Sequence, residues 1–132
     1  MITSAAGQPL VPQPPATVTA LRQAVAQISP AALPAFTREL DQAADESRQG
    51  SDPAPLRRFI AQWAVYVHIR RRPHLAEELR RLEDTAATAD AEQARRAAAG
   101  IGRILDAAHT ALAGAARPGA AGQIVDASMT KR

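Results

Sequence analysis

Residues 52–72 read DPAPLRRFIAQWAVYVHIRRR and carry the strongest helix signals in the chain. Asp52 is a typical N-cap residue and Pro53 suits the first helical position, so this pair predicts a helix start. Pro73 predicts an end near Arg71, because the residue before a proline is pushed out of the helical region. We therefore expect a helix over about 53–71.

Apolar side chains occupy two sides of this helix when each residue advances by about 100°. The first stripe consists of Leu56, Phe59, Ile60, Trp63 and Val67. The second, on roughly the opposite side, consists of Ala61, Val65 and Ile69. A helix that is apolar on two sides is usually sandwiched. We expect Trp63 to be the central core residue, and the second stripe to be covered by another part of the chain, a second copy or a foreign partner.

The flanking sequence predicts further helices and an all-α fold. Three more short helices are expected over about 17–27, 34–48 and 73–84, with Gly50 in a left-handed C-cap position after the second of them. A C-terminal amphipathic helix over about 91–113 has an apolar stripe of Ile101, Ile104, Leu105, Ala108 and Leu112, and is weakened by Gly100 and Gly102. The predicted organisation is a disordered proline-rich arm (1–16), a small bundle of four short helices (17–84), a hinge and C-terminal helix (85–114) and a disordered tail (115–132).

Composition excludes several classes of protein. The chain has 132 residues, enough for one domain, and its 46% hydrophobic content is largely alanine, which favours helix. It has no cysteine, so disulfides and thiolate metal sites are excluded. Apolar runs do not approach the roughly 20 residues that span a bilayer. The N-terminus lacks a basic segment followed by an apolar core, so we expect no signal peptide and a cytoplasmic protein without membrane contact.

The polar residues do not form a recognisable catalytic or metal motif. The three histidines are His68, His74 and His109, and the segment from His74 to Glu78 lacks the second histidine of a zinc helix. Neither a nucleophile elbow nor a phosphate-binding glycine loop is present. We therefore expect no enzymatic activity, no metal and no cofactor.

Charge is distributed unevenly along the chain. The segment from Glu39 to Asp52 contains five acidic residues and one arginine. The segment from Arg57 to Arg81 contains seven arginines and two acidic residues, Glu77 and Glu78. The run Arg70–Arg72 lies where cations stabilise the C-terminal end of a helix dipole, which requires no ligand. The alternative is a patch for phosphate or an acidic partner. A net charge of +3 is too small to imply nucleic acid by itself.

The segment from about Leu21 to Glu83 resembles a family of short actinobacterial helical proteins of uncharacterised function. The residues that carry the resemblance are Ser29-Pro30, Leu33-Pro34-Ala35-Phe36, Glu39-Leu40, Ala43, Leu56, Phe59-Ile60, Trp63, Pro73, Leu79 and Leu82. Members are similar to small antitoxins in size and helical build, which implies an antitoxin-like or regulatory role. The alanine-rich segment after Thr85 departs from the family pattern.

These observations favour a protein-interaction module that binds a partner protein, either a toxin or a second copy of itself. The expected partner-binding residues are Val65, Ile69, Arg57, Arg58, Arg70, Arg71, Arg72, Ile101, Ile104, Leu105 and Leu112. The alternative is a DNA-binding transcriptional regulator that uses the basic face between Arg57 and Arg81. Because a groove-binding helix is often weak on its own, the glycine-containing C-terminal helix fits the first interpretation.

Overall fold

A computed structural model describes residues 8–116 of the chain, with side chains to residue 115. This part forms five α-helices and one 3-10 turn, and it contains no strand. The elements are α1 (Val18–Ile28), the 3-10 turn (Pro30–Ala32), α2 (Leu33–Gly50), α3 (Ala54–Arg70), α4 (Pro73–Thr88) and α5 (Ala91–Ala116). The predicted all-α bundle of four short helices and a C-terminal helix is confirmed. The predicted disorder of residues 1–7 and 117–132 lies outside the described residues.

Side-chain caps fix where two of the helices begin. Thr17 accepts a hydrogen bond from the Ala20 amide at 3.2 Å, at the start of α1. Asp52 accepts from the Ala54 amide at 3.0 Å, as the sequence indicates for α3. Such contacts satisfy amide groups that have no partner within the first helical turn.

The turn between α2 and α3 differs from the prediction at one residue. Ser51, not Gly50, adopts the left-handed conformation, with φ 49° and ψ 46°. Gly50 is the last residue of α2 itself. The Ser51 amide donates to the Arg48 carbonyl, and the Asp52 amide donates to the Ser47 carbonyl at 3.0 Å. The helix thus continues two residues beyond the predicted end, and the following serine adopts the left-handed conformation.

Helix α3 lies at the centre of the fold and contacts each of the other four α-helices. Its first stripe packs on α1 and α2, where Phe36 is completely buried. The Phe36 ring meets the rings of Phe59 and Trp63 edge-on, with both centroid separations at 5.0 Å. Trp63 is 5% exposed and its indole N–H donates to Glu39 at 3.0 Å. Trp63 is therefore a core residue as predicted, but Phe36 lies deeper.

Helices α4 and α5 form an antiparallel hairpin against the other side of α3. No side chain of α4 is fully buried. The hairpin is close-packed at Gly100, where a Cβ atom would lie 3.1 Å from a terminal methyl of Leu82. Residues 85–88, at the start of the segment predicted as hinge and C-terminal helix, complete α4, and only Ala89 and Asp90 separate α4 from α5.

Candidate interaction groove

The apolar side chains that the sequence assigned to a partner are mostly used within the chain. Val65 is 7% exposed and Ile69 is 3% exposed. Both pack against Ala108 of α5, with Leu75 and Leu79 of α4 at the edge of the cluster. Of the three coverings left open by the sequence, the structure shows another part of the chain at Val65 and Ile69, because the α4–α5 hairpin lies over them.

The apolar stripe of α5 is the surface that covers this side of α3. Ile104, Leu105 and Leu112 are half-buried against the cluster that contains Val65 and Ile69. Ile101 is also half-buried. These side chains can therefore contact a foreign partner only through the part of each that faces solvent.

The structure separates the predicted arginine surface into parts. Arg57 and Arg58 are exposed at the start of α3, and Arg70 is exposed at its end, about 20 Å away along the helix axis at 1.5 Å per residue. The Arg70 guanidinium lies 4.9 Å from the centre of the Tyr66 ring, and Arg72 is half-buried. Arg71 is 8% exposed and points inward, so it is not a surface contact. The DNA-binding alternative stays a prediction.

One part of the second stripe does remain open. Ala61 is exposed and lies on the floor of a groove with a volume of about 740 Å³. Ile60 and Ala64 of α3 extend this floor, and Leu112 and Ala113 of α5 form one wall. Residues 13–16, the end of the proline-rich arm, also line the groove.

The groove has an apolar lining with positive or neutral polar groups at its margin. The titratable residues that line it are Arg57 and His109, both exposed. Arg57 forms no ion pair with the residues that the structure describes. An occupant with an apolar surface and a carboxylate near Arg57 would therefore match this lining in both polarity and charge.

The arm that lines the groove is held by Arg71. The Leu10 amide donates to the Arg71 carbonyl at 2.6 Å. The Arg71 guanidinium donates to the Val11 carbonyl and to the Gln13 side-chain oxygen, both at 3.1 Å. These bonds attach residues 10–13 of the proline-rich arm to the end of α3, and the expected disorder of the arm stays a prediction. The sequence offered no signal for them, since Arg71 reads as one member of an exposed basic run.

Burial around the end of α3 also affects the titration of its polar side chains. Partial burial lowers the pKa of His68, and the nearby Arg71 and Arg72 charges lower it further. Burial and the Arg72 charge likewise lower the pKa of Arg71, although an arginine stays protonated in proteins. His68 is therefore neutral over a wider pH range than an exposed histidine.

Residues 8–116 contain neither a metal-binding cluster nor a membrane-spanning helix. Over residues 8–116, His, Asp and Glu side chains do not gather in groups of three or more that are placed to bind a metal ion. The helices of the described chain lack the combination of length and apolar character needed to cross a membrane.

Taken together, the described residues define a small all-α bundle with an open apolar groove around Ala61. Comparison with protein-family models, with curated proteins and with solved structures finds no match to this chain. The function must therefore be inferred from the groove and the residues around it.

Proposed function

We propose that this chain is a cytoplasmic protein-interaction module that binds a partner protein in the groove around Ala61. The single observation that supports this most is the exposure of Ala61 on an apolar floor between α3 and α5. The stripe to which Ala61 belongs is otherwise closed by the α4–α5 hairpin.

The dimensions and lining of the groove fit a peptide or helix better than a reaction centre. Small side chains at Ala61, Ala64 and Ala113 allow the backbone of an occupant to approach closely. Apolar grooves between two helices commonly accept one face of an amphipathic segment. The resemblance of residues 21–83 to short antitoxin-like proteins supports a regulatory role for such binding, with a toxin as one class of partner.

Site-specific photo-crosslinking in the native host tests this proposal. A benzoylphenylalanine residue replaces Ala61 in one variant and Ala26 in a matched control. Ala26 is an exposed alanine on α1, away from the groove. A protein that is crosslinked from position 61 and not from position 26 is identified by mass spectrometry and purified.

The purified partner is then titrated against Ala61→Arg and Ala26→Arg variants of the full chain. A bulky cation on the groove floor should weaken binding at least tenfold, whereas the same change on α1 should leave the dissociation constant within about twofold. Absence of any crosslink specific to position 61, or equal affinity of the two variants, would show that the groove is not the binding surface.

A further inference from the structure

The arm that lines the groove makes contacts of a kind usually made by a bound peptide. We propose that Arg71 and the edge of the groove along which residues 13–16 lie form a receptor site for a proline-containing extended segment of a partner. Residues 10–16 of this chain occupy that site as a competing internal ligand. This inference rests on the proposed function, since it assigns the groove a specific class of partner.

The arm is held mainly through its backbone. Its two main-chain bonds run from the Leu10 amide to the Arg71 carbonyl and from the Arg71 guanidinium to the Val11 carbonyl. The Leu10 side chain is 59% exposed, so it adds little to the attachment. Backbone contacts of this kind do not depend on side-chain identity, and another segment of similar shape can make them.

The arm sequence suits an extended peptide ligand. Val11, Gln13 and Pro14 each precede a proline, which biases their backbone toward an extended conformation. Proline has no N–H group, so such a segment presents mostly carbonyl acceptors. The Arg71 guanidinium supplies donors for carbonyl and amide oxygens. Proline-rich segments are recognised in this way because their extended form loses little entropy on binding.

Arg71 is an unusual residue for a purely structural role. Buried charges are normally paired with an opposite charge. Among the residues that the structure describes, Arg71 has no carboxylate partner, and its side chain is hydrogen-bonded to Val11 and Gln13. If the arm leaves, the guanidinium loses these acceptors, and a segment with the same carbonyl and amide oxygens can replace them in competition with water.

The internal ligand is not perfectly fitted, which allows displacement. The Gln13 side-chain nitrogen is buried without an acceptor among the described residues. A buried donor without an acceptor makes the bound arm less stable than a fully hydrogen-bonded segment. A partner segment that avoids this cost can compete with the arm, although tethering holds the arm at an effective concentration of roughly millimolar.

The test uses the full chain and a synthetic peptide of its own residues 8–16, QPLVPQPPA, labelled with a fluorophore and followed by anisotropy. Leu10→Pro removes the amide that bonds to Arg71 and weakens the internal arm without altering the receptor site. Gln13→Ala is a second variant that removes a different arm contact. Arg71→Lys keeps the charge but loses the planar guanidinium, and a peptide with proline at the Leu10 position is the matched control ligand.

The Leu10→Pro or Gln13→Ala protein should bind the peptide at least tenfold more tightly than the unmodified chain. Adding Arg71→Lys should remove that gain, and the control peptide should bind at least tenfold more weakly. Thermal melts establish that each variant is folded. No binding by either arm variant up to several millimolar, or equal binding with and without Arg71→Lys, overturns the inference. A crosslinked partner at position 61 alongside either result would leave the proposed function intact and reject only the proline-segment assignment.

Discussion

Replacing Phe36 by alanine should destabilise the protein more than most single substitutions in it. The Phe36 side chain is completely buried and its ring contacts those of Phe59 and Trp63. Removing a buried phenylalanine ring costs about 3–5 kcal/mol, because burial is lost and a cavity remains. Whole domains are stable by only about 5–15 kcal/mol. Leucine keeps much of the volume but loses two aromatic contacts, each worth about 0.5–1.5 kcal/mol, so Phe36→Leu should cost about 1–3 kcal/mol.

Urea unfolding followed by circular dichroism at 222 nm measures these differences, since the described fold is helical throughout. Thr37→Ala is the matched control, because Thr37 is the exposed next residue of α2 and its change should stay within about 0.5 kcal/mol. In thermal melts, Phe36→Ala should lower the midpoint by more than about 12 °C, at about 4 °C or more per kcal/mol. If Phe36→Ala unfolds within a few degrees of the unmodified chain, Phe36 is not the centre of the core.

Three further predictions concern the turn, the hairpin and the end of α3. Ser51→Gly should raise the free energy of urea unfolding by about 0.5–1 kcal/mol, because glycine adopts the φ of 49° without strain. A lower free energy of unfolding would show that Ser51 is not strained. Gly102→Ala should stabilise the chain by a similar amount, since nothing lies within 4 Å of the added carbon. Gly100→Val should destabilise it by about 1–3 kcal/mol, because the added side chain clashes with Leu82. If differential scanning calorimetry ranks the two variants in the opposite order, the described packing of the α4–α5 hairpin is wrong. The pKa of His68 is lowered in the fold, so the unfolded chain binds a proton at this residue more readily, and stability should fall as the pH drops below about 6.5. Between pH 7 and pH 5.5 the His68→Gln variant should lose less stability than the unmodified chain. Parallel pH profiles of the two proteins would show that His68 does not contribute to this loss.

Much of the fold could be predicted from local signals. Asp52 and Pro73 bound α3 to within about one residue, because capping and proline effects act over a single turn. The first apolar stripe and the burial of Trp63 follow from the helical repeat alone. Gly50 was assigned the wrong conformation because glycine is favoured in the left-handed region but does not have to occupy it. The choice of Ser51 depends on how far α2 continues, which a local pattern does not determine.

The candidate site was harder to predict, because it depends on which elements meet. The repeat places Ala61, Val65 and Ile69 on one side of α3, but it does not indicate that Ala61 stays exposed while Val65 and Ile69 are buried. Likewise, the run Arg70–Arg72 looks uniformly basic, although its middle member is buried and bonded to residues about 60 positions earlier. Hydrogen bonds between residues so far apart in sequence cannot be predicted from the local periodicity of apolar and charged residues.

The absence of a fully buried side chain in α4 implies that backbone protection is uneven across the fold. Regions with few buried apolar contacts open locally at a lower free energy than the global transition. Amide protons of α4 are therefore expected to exchange with solvent through partial openings, while those of α3 exchange only when the whole molecule unfolds. Each such opening would briefly expose Val65 and Ile69, so the molecule visits states with a larger apolar surface than its ground state presents.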